Sequence, residues 1–238
     1  MQKEPDYVLP DENGFKGTHL DDYLALGYYR MQHLIFTTHH TTLDLESSSI
    51  PVFWLRTSVA EIKEPKSAIV IRKRCTAFTV AYKKAHISQE TEELYSVYRS
   101  HVDFRTAETC RIYLHQHGID DPFDSWMVEI RDASILIAVG YFDKGSKAIA
   151  GILNFYHPGY QKFSLGKYLI LKKTDYATGN AFPWYYTGYI STLNTKFDYK
   201  LFPDSTAVEV YLPVENEWVS YDVLGKNMLE EYFLNHLM

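Results

Sequence analysis

The second half of the chain alternates between strand-like and helix-like patterns of apolar positions. Three successive segments rich in β-branched and aromatic residues, 125–131, 134–142 and 148–156, are separated by short polar turns, which is typical of antiparallel strands. Two helical patterns precede them: Ser88 caps the first, which has acidic residues in its first turn, and the second begins near Thr106. The pattern therefore predicts two helices followed by three antiparallel strands.

The same alternation continues to the end of the chain. The elements that it predicts are a long helix, a strand, a short helix, a strand and a C-terminal helix, at 164–178, 184–188, 192–199, 207–212 and 221–237. We expect 77–238 to form one domain and 1–76 to form a smaller N-terminal region packed on it. This order predicts an α/β (α+β) fold with a mixed, mostly antiparallel sheet.

The first part of the chain has a less regular pattern. It predicts a short helix that Thr18 caps and that stops near Gly27. It also predicts three strands, at 50–59, 68–71 and 76–82.

Composition narrows the class of protein. The chain has 238 residues, which is long enough to bury a core, and 46% of them are hydrophobic. Its two cysteines, Cys75 and Cys110, are too few for a disulfide framework or a four-cysteine metal site. With no apolar run near membrane-span length and no leader-like start, we expect a reduced, cytoplasmic protein with no membrane partner. Twenty tyrosines are compatible with a polar, aromatic-lined groove and equally with a tyrosine-rich sheet.

The charge is unevenly distributed. The net charge of −6 argues against a general nucleic-acid coat. The segment 65–89 nevertheless contains six bases, among them Arg72, Lys73 and Arg74, and no acid. Such a patch is suited to a few phosphates, although solvated charged strands would give the same pattern.

The predicted order of elements resembles the GNAT acyltransferase fold. In that fold the fourth strand leads to a helix whose N-terminus binds the phosphates of an acyl carrier, because the first N–H groups of a helix lack partners. In this chain that place is Ser164-Leu-Gly-Lys167. It contains one glycine, so the usual acyl-CoA signature, Gln/Arg-x-x-Gly-x-Gly/Ala, is not satisfied.

Four short motifs form a spaced set in the C-terminal half: Phe155-Tyr-His-Pro158, Ser164-Leu-Gly-Lys-Tyr-Leu-Ile170, Tyr186-Thr-Gly-Tyr189 and Lys196-Phe-Asp-Tyr-Lys200. This set resembles the C-terminal half of the arginyl-tRNA–protein transferase family, which includes the bacterial aspartate/glutamate leucyltransferases. The basic stretch 66–74 also resembles a segment of that family. The resemblance is strong over 123–212 and thin before 65.

The chain departs from the family pattern in two places. Residues 193–195 are Leu-Asn-Thr where the family has Gly-Cys-Pro, and the clustered cysteines that bind a metal or iron–sulfur centre in the family are absent. Asp6 stands near the first of those cysteine positions. A replacement site of His39, His40 and Asp44 is an alternative, but adjacent histidines in a polar loop are more often solvated, so we expect no metal.

The resemblance implies transfer of an amino acid, arginine or leucine, from aminoacyl-tRNA to the N-terminal amine of an acceptor protein. The implied acceptors expose an acidic first residue, as in the N-degron (N-end rule) pathway, and the implied co-substrate is aminoacyl-tRNA, with no other cofactor. The candidate catalytic residues are Tyr156, Tyr186, Tyr189, Lys196, Tyr199 and Lys200. The candidate residues for binding substrate or tRNA are Ser164, Leu165, Gly166, Lys167, Tyr168, Gly188, Arg72, Lys73 and Arg74.

Two other functions remain open at the level of sequence. One is an acyl-CoA-dependent N-acyltransferase on the same fold. The other is a non-catalytic relative that binds tRNA or protein, which the missing cysteines would favour. The sequence does not identify the general base, the donor amino acid or the oligomeric state.

Overall fold

The computed structural model describes residues 7–42, 49–104, 106–114 and 121–237. Within them the helices are Thr18–Ala25 (α1), Lys66–Arg74 (α2), Gln89–Arg99 (α3), Arg111–Leu114 (α4), Leu165–Gly179 (α5) and Tyr221–His236 (α6). Short 3₁₀ helices cover Val59–Glu61, Pro158–Phe163, Thr195–Leu201 and Ser205–Ala207. None of the helices in these ranges has the length and hydropathy that a membrane crossing requires.

The strands of the described residues form one large and one small sheet. The small sheet contains Tyr7–Val8 (β1), Tyr29–Met31 (β2) and Leu34–Phe36 (β3). The large sheet contains His40–Thr41 (β4), Ile50–Ser58 (β5), Thr79–Lys84 (β6), Ser125–Asp132 (β7), Ile135–Lys144 (β8), Ala148–Tyr156 (β9), Trp184–Ser191 (β10), Val208–Leu212 (β11) and Glu217–Ser220 (β12). Its order is β12-β11-β5-β10-β9-β8-β7-β6, with β4 added to β5.

The pairing in the large sheet is antiparallel except between β9 and β10, which run parallel. The prediction of a mixed, mostly antiparallel sheet in an α/β fold is therefore confirmed. The predicted order from β6 to β11, with α5 between β9 and β10, is also confirmed. Strand β5 lies between β10 and β11, so a segment before residue 77 is part of this sheet; the division of the chain at residue 76 stays a prediction.

The two faces of the sheet are covered by different helices. Because side chains alternate along a strand, Ile149 and Tyr185 face α5, while Ala150 and Tyr186 join the core cluster that contains α1. Helix α3 packs on β8 and β9 through a separate cluster that includes Tyr95 and other aromatic side chains.

Three local predictions need correction. Residues 68–71 are helical rather than extended, because Ala68 and Ile71 are buried at helical spacing behind the N-cap Pro65. The strand predicted at 76–82 is β6, shifted towards the C-terminus. Helix α1 is capped by Gly17, whose φ is 57°, and not by the Thr18 side chain.

The other differences concern the ends of elements. The second predicted helix near 106 is limited to α4 within the described residues, and its predicted end near Gly118 lies outside them. The strand β12 was missed, because its four residues carry no alternating pattern long enough to distinguish it from a turn.

Candidate active site

A cavity of about 450 Å³ lies where β9 and β10 separate. Their parallel pairing ends at Ala150 opposite Tyr186, although β9 continues to Tyr156 and β10 to Ser191. A register shift in β10 between Tyr186 and Gly188 marks the same point. We call this space the strand cavity.

A second cavity, of about 650 Å³, lies at the start of α5, and we call it the helix cavity. Ser164, Gly166 and Lys167 line it. The two cavities have walls in common, formed by Tyr98, Phe104, Asn154, Tyr189 and Tyr199. They therefore lie side by side and together make up one candidate site.

The entry to α5 is a sharp turn. Ser164 has φ 55° and ψ 46°, a left-handed conformation in which its side chain makes no capping hydrogen bond. Two residues later, a Cβ on Gly166 would lie 3.2 Å from Cε1 of Tyr156. The glycine therefore lets an aromatic ring lie against the first turn of the helix.

Aromatic rings surround the helix cavity. The ring of Tyr156 lies 5.5 Å from that of Tyr98, and the ring of Tyr189 lies 5.2 Å from that of Phe197. At the edge of this cavity, Nζ of Lys196 donates to Oδ1 of Asp103 at 2.9 Å. Such walls suit a flat, polar ligand that stacks on rings.

The ε-amine of Lys200 lines the strand cavity. It donates to the carbonyl oxygen of Tyr189 at 3.0 Å and lies 4.2 Å from the centroid of the Tyr189 ring. Gly188 has φ 105°, and a Cβ there would lie 3.0 Å from Nζ, so the glycine at this position makes room for the amine. Removal of the amine from water lowers the pKa of Lys200 to about 7.

A second amine of the strand cavity belongs to Lys173 of α5, whose side chain is fully buried. Its Nζ donates to the carbonyl oxygen of Tyr141 at 2.6 Å. Burial lowers the pKa of Lys173 to about 7, although the carboxylate of Asp143 opposes this shift.

Four polar side chains of the strand cavity have buried atoms without hydrogen-bond partners. They are Nε1 of Trp54, Oδ2 of Asp143, Oδ1 of Asn154 and Oγ1 of Thr187. Buried polar atoms are nearly always paired in proteins, so these atoms are available to form hydrogen bonds with a bound ligand.

The structure brings nine of the fifteen predicted site residues together. The residues that line one or both cavities are Tyr156, Ser164, Gly166, Lys167, Gly188, Tyr189, Lys196, Tyr199 and Lys200. They come from β9, α5, β10 and the 3₁₀ helix at Thr195–Leu201, which meet where the strands separate.

Three predicted residues are core residues instead. Leu165 and Tyr168 pack between α5 and the sheet. Tyr186 points to the opposite face of the sheet from Tyr185, into the cluster that contains Trp218. The family motif places them next to the site in sequence, and alternation along the strand or helix turns them away from it.

The other three, Arg72, Lys73 and Arg74, lie on α2 and line neither cavity. The Arg72 guanidinium donates to Glu64 at 2.9 Å and to Asp175 at 2.7 Å, so two carboxylates already neutralise it and raise its pKa. Lys73 and Arg74 are exposed.

Sequence reasoning missed Lys173, Asn154, Thr187 and Tyr98. The spacing of apolar positions in α5 indicates that Lys173 is buried. Positions 165, 169, 173 and 177 follow each other at intervals of four and are all buried, so Lys173 is a charged residue on an apolar stripe.

The cysteines of the chain do not fit the metal or iron–sulfur centre of the family that the motifs resemble. Cys75 and Cys110 lie in different core clusters, and burial raises their pKa to about 11 and about 12. Among the residues that the structure describes, no three or more His, Cys, Asp or Glu side chains form a metal-binding group. Asp6 and Asp44 lie outside the described residues.

Residues 90–205 match the family model described as arginine-tRNA-protein transferase, C terminus. Curated relatives named aspartate/glutamate leucyltransferase include one from Methylobacillus flagellatus, which is 29% identical over 74% of this chain and 70% of its own length. A second, from Teredinibacter turnerae, is 28% identical over 58% of each chain. A third, from Jannaschia sp., is 31% identical over 54% of this chain and 46% of its own.

Solved structures with a similar arrangement have low sequence identity. FemX has a TM-score of 0.46 at 11% identity and covers 79% of this chain and 63% of its own. The C-terminal domain of a putative lysylphosphatidylglycerol synthetase from Agrobacterium fabrum has a TM-score of 0.44 at 11% identity, over 58% of this chain and 46% of its own.

The matches with named proteins define the chain as an enzyme of the transferase class. The segment 90–205, which makes up just under half of the chain and contains α5 and β10, is similar to the C-terminal part of arginine-tRNA-protein transferases. The acyl-CoA alternative is not favoured by these matches. The chain spans between about half and 70% of the length of the three relatives.

Proposed function

We propose that the chain transfers an amino acid from aminoacyl-tRNA to the N-terminal amine of an acceptor protein. The observation that carries this proposal is the pair of joined cavities. One begins at a helix N-terminus among aromatic rings, and the other holds the Lys200 amine next to unpaired polar atoms. A ligand in the first cavity meets a ligand in the second at Asn154 and Tyr189.

The helix cavity is the proposed site of the 3′ end of the tRNA. The unpaired N–H groups and the positive end of the helix dipole at α5 suit a phosphate. The rings of Tyr98, Tyr156 and Phe197 offer faces on which bare bases can stack.

The strand cavity is the proposed site of the reaction. The amine nitrogen of the acceptor attacks the ester carbonyl, a C–N bond forms, and the C–O bond to the ribose breaks. The proton of the amine passes to Nζ of Lys200 and from there to the ribose oxygen, which leaves as a hydroxyl group. Because the ester is already activated, orientation supplies most of the catalysis, and we propose that no resident cofactor takes part.

The finer features of the reaction are also proposals. The names of the relatives support leucine as the donor and an exposed aspartate or glutamate as the first residue of the acceptor. Such a reaction would act in an N-end rule pathway in the cytoplasm, on protein acceptors.

A radiolabelled transfer assay tests the proposed function. Leucyl-tRNA, arginyl-tRNA and acetyl-CoA are each offered with peptides that begin with Asp, Glu or Ala. We expect label from leucyl-tRNA on the acidic peptides. Transfer from acetyl-CoA, or no transfer from any donor, would refute the proposal.

Replacement of Gly166 by leucine should separate transfer from tRNA binding. The new side chain would displace the ring of Tyr156, which is already 3.2 Å from the Cβ position, and would fill the start of the helix cavity. We expect kcat to fall about 10- to 100-fold, while the Kd for tRNA, set mainly by backbone phosphates, changes little. Gly179→Leu at the other end of α5 is the control, because an added Cβ there meets nothing within 4 Å.

The exposed bases of α2 should bind the acceptor stem. We expect the double variant Lys73→Ala, Arg74→Ala to weaken binding of all tRNAs alike and to lower the salt slope of log K by about 2. Filter-binding titrations at two salt concentrations measure the slope. The control is Lys16→Ala with Lys147→Ala, which removes two exposed charges elsewhere. An equal slope in both variants would show that α2 is not the tRNA contact.

A further inference from the structure

The charged groups that line the strand cavity do not balance. They are Arg30, Asp143, Lys173 and Lys200. Arg30 pairs with two carboxylates, Asp143 at 2.8 Å and Asp121 at 3.4 Å, and the Asp143 carboxylate also acts on Lys173 from beyond ion-pair distance. The tyrosine hydroxyls of the wall remain uncharged, since burial raises the pKa of Tyr98, Tyr185 and Tyr189. The amines of Lys173 and Lys200 are left without an ion-pair partner among the described residues.

Lys173 is the more deeply placed of the two amines. Its side chain is 1% exposed, and its hydrogen bond to the carbonyl oxygen of Tyr141 uses one of the three hydrogens of an ammonium. Among the described residues, no carboxylate lies within the 4.0 Å of an ion pair to its Nζ. A buried ammonium without an anionic partner is unfavourable, and a bound anion would relieve this.

The wall beside Lys173 also supplies a hydrogen-bond acceptor for the α-amine of a bound amino acid. A Cβ on Gly140 would lie 3.0 Å from Cε of Lys173 and 2.7 Å from Oδ1 of Asn154, so both side chains pass over the same glycine. The unpaired Asn154 Oδ1 is an acceptor for an α-amine. The Lys173 amine on the same wall is a donor for a side-chain carboxylate.

We propose that the strand cavity is a carboxylate site, in which Lys173 holds the side-chain carboxylate of an aspartyl or glutamyl residue. This inference rests on the proposed function and deepens it, because the residue can be the first residue of the acceptor or the amino acid on the tRNA. The cationic side chain of an arginyl donor is repelled from the same cavity.

The test compares Lys173→Met, which keeps the length of the side chain, with Lys172→Met. Lys172 is the next residue of α5 and is bonded to Asp175 at 2.8 Å, and it lines neither cavity. With leucyl-tRNA as the donor, the rates for peptides beginning with Asp and with Asn are compared, and a preference for Asp identifies the acceptor as the source of the carboxylate. With a peptide beginning with Ala as the acceptor, glutamyl-tRNA and glutaminyl-tRNA are compared, and a preference for glutamyl-tRNA identifies the donor.

We expect the wild type and Lys172→Met to prefer the acidic substrate over its amide by about 10- to 100-fold, either among the acceptor peptides or among the aminoacyl-tRNA donors. Lys173→Met should lose that preference through a higher KM for the acidic substrate, with the amide substrate unchanged. Equal losses for acid and amide would mean that Lys173 acts in folding or proton transfer, and would overturn the proposal. So would a preserved preference.

Calorimetric titration with the Asp peptide, without tRNA, keeps the proposal testable if no transfer occurs. A bound carboxylate raises the pKa of the Lys173 amine from about 7, so binding near pH 7 should take up about half a proton. Measurements in two buffers of different ionisation enthalpy report this uptake, which Lys173→Met should lose. A parallel titration with free glutamate stands for the donor. Uptake without transfer supports the site and refutes the proposed function. Uptake unchanged in Lys173→Met, or no binding of either the Asp peptide or glutamate, overturns the site.

Discussion

Replacement of Lys200 by methionine should lower kcat/KM for transfer by about 10²- to 10⁴-fold, which is the usual contribution of a positioned proton acceptor. The variant keeps a side chain of similar length and removes the amine, whose Nζ lies 4.2 Å from the ring centroid of Tyr189 and 5.0 Å from that of Phe197. Because a base acts in its neutral form, wild-type kcat/KM should rise with pH through about 7. This limb should be absent in the variant, while a limb from the acceptor's own α-amine, near pH 8, remains.

The control for Lys200→Met is Lys226→Met. Nζ of Lys226 donates to Oδ1 of Asp198 at 2.6 Å, so it contacts the same 3₁₀ helix, and it lines neither cavity. Its transfer rate should stay close to that of the wild type. If Lys200→Met keeps the limb near pH 7 and more than about a tenth of the activity, Lys200 is not the base.

Replacement of Asp143 by alanine should lower the free energy of unfolding by about 3–5 kcal/mol. The carboxylate is fully buried and accepts hydrogen bonds from Arg30 at 2.8 Å and from Ser125 at 2.7 Å. Its removal leaves the guanidinium of Arg30, which is 4% exposed, without its nearest anion. The loss is a large part of the 5–15 kcal/mol that stabilises a typical domain, and urea denaturation measures it as a lower midpoint at constant m-value.

Asp103→Ala is the matched control for Asp143→Ala. Asp103 also forms an ion pair, at 2.9 Å to Lys196, but its side chain is 89% exposed, so water already screens the interaction. We expect no measurable change in its unfolding midpoint. Adding Arg30→Met to Asp143→Ala should recover part of the lost stability, because it removes a buried guanidinium that would otherwise keep only the longer ion pair to Asp121, at 3.4 Å. A similar midpoint for Asp143→Ala and Asp103→Ala would show that the buried pair is not a main source of stability.

The amino-acid sequence determined the elements that depend on local pattern. The strands β7, β8 and β9 alternate regularly between short turns, and α3 begins at a serine whose side chain accepts from the Thr91 N–H, as the capping pattern predicts. The motif residues Gly166, Gly188, Tyr189 and Lys200 were identified because they follow a family spacing. Each lines the candidate site in the structure.

Only the tertiary structure decided which side chains share a cavity. Lys173, on an apolar stripe of α5, and Asn154 of β9 meet over Gly140 of β8, three positions that no local pattern connects. Tyr185 and Tyr186 are neighbours in sequence, yet the pleat sends one to the cavity and the other to the opposite core. Residues 68–71 of α2 were assigned to a strand because charge and propensity carry no information on the packing of Ala68 and Ile71 against α5. Burial, and with it the lowered pKa of Lys173 and Lys200, arises from distant segments that exclude water together, and for that reason it is not encoded in any single stretch of the chain.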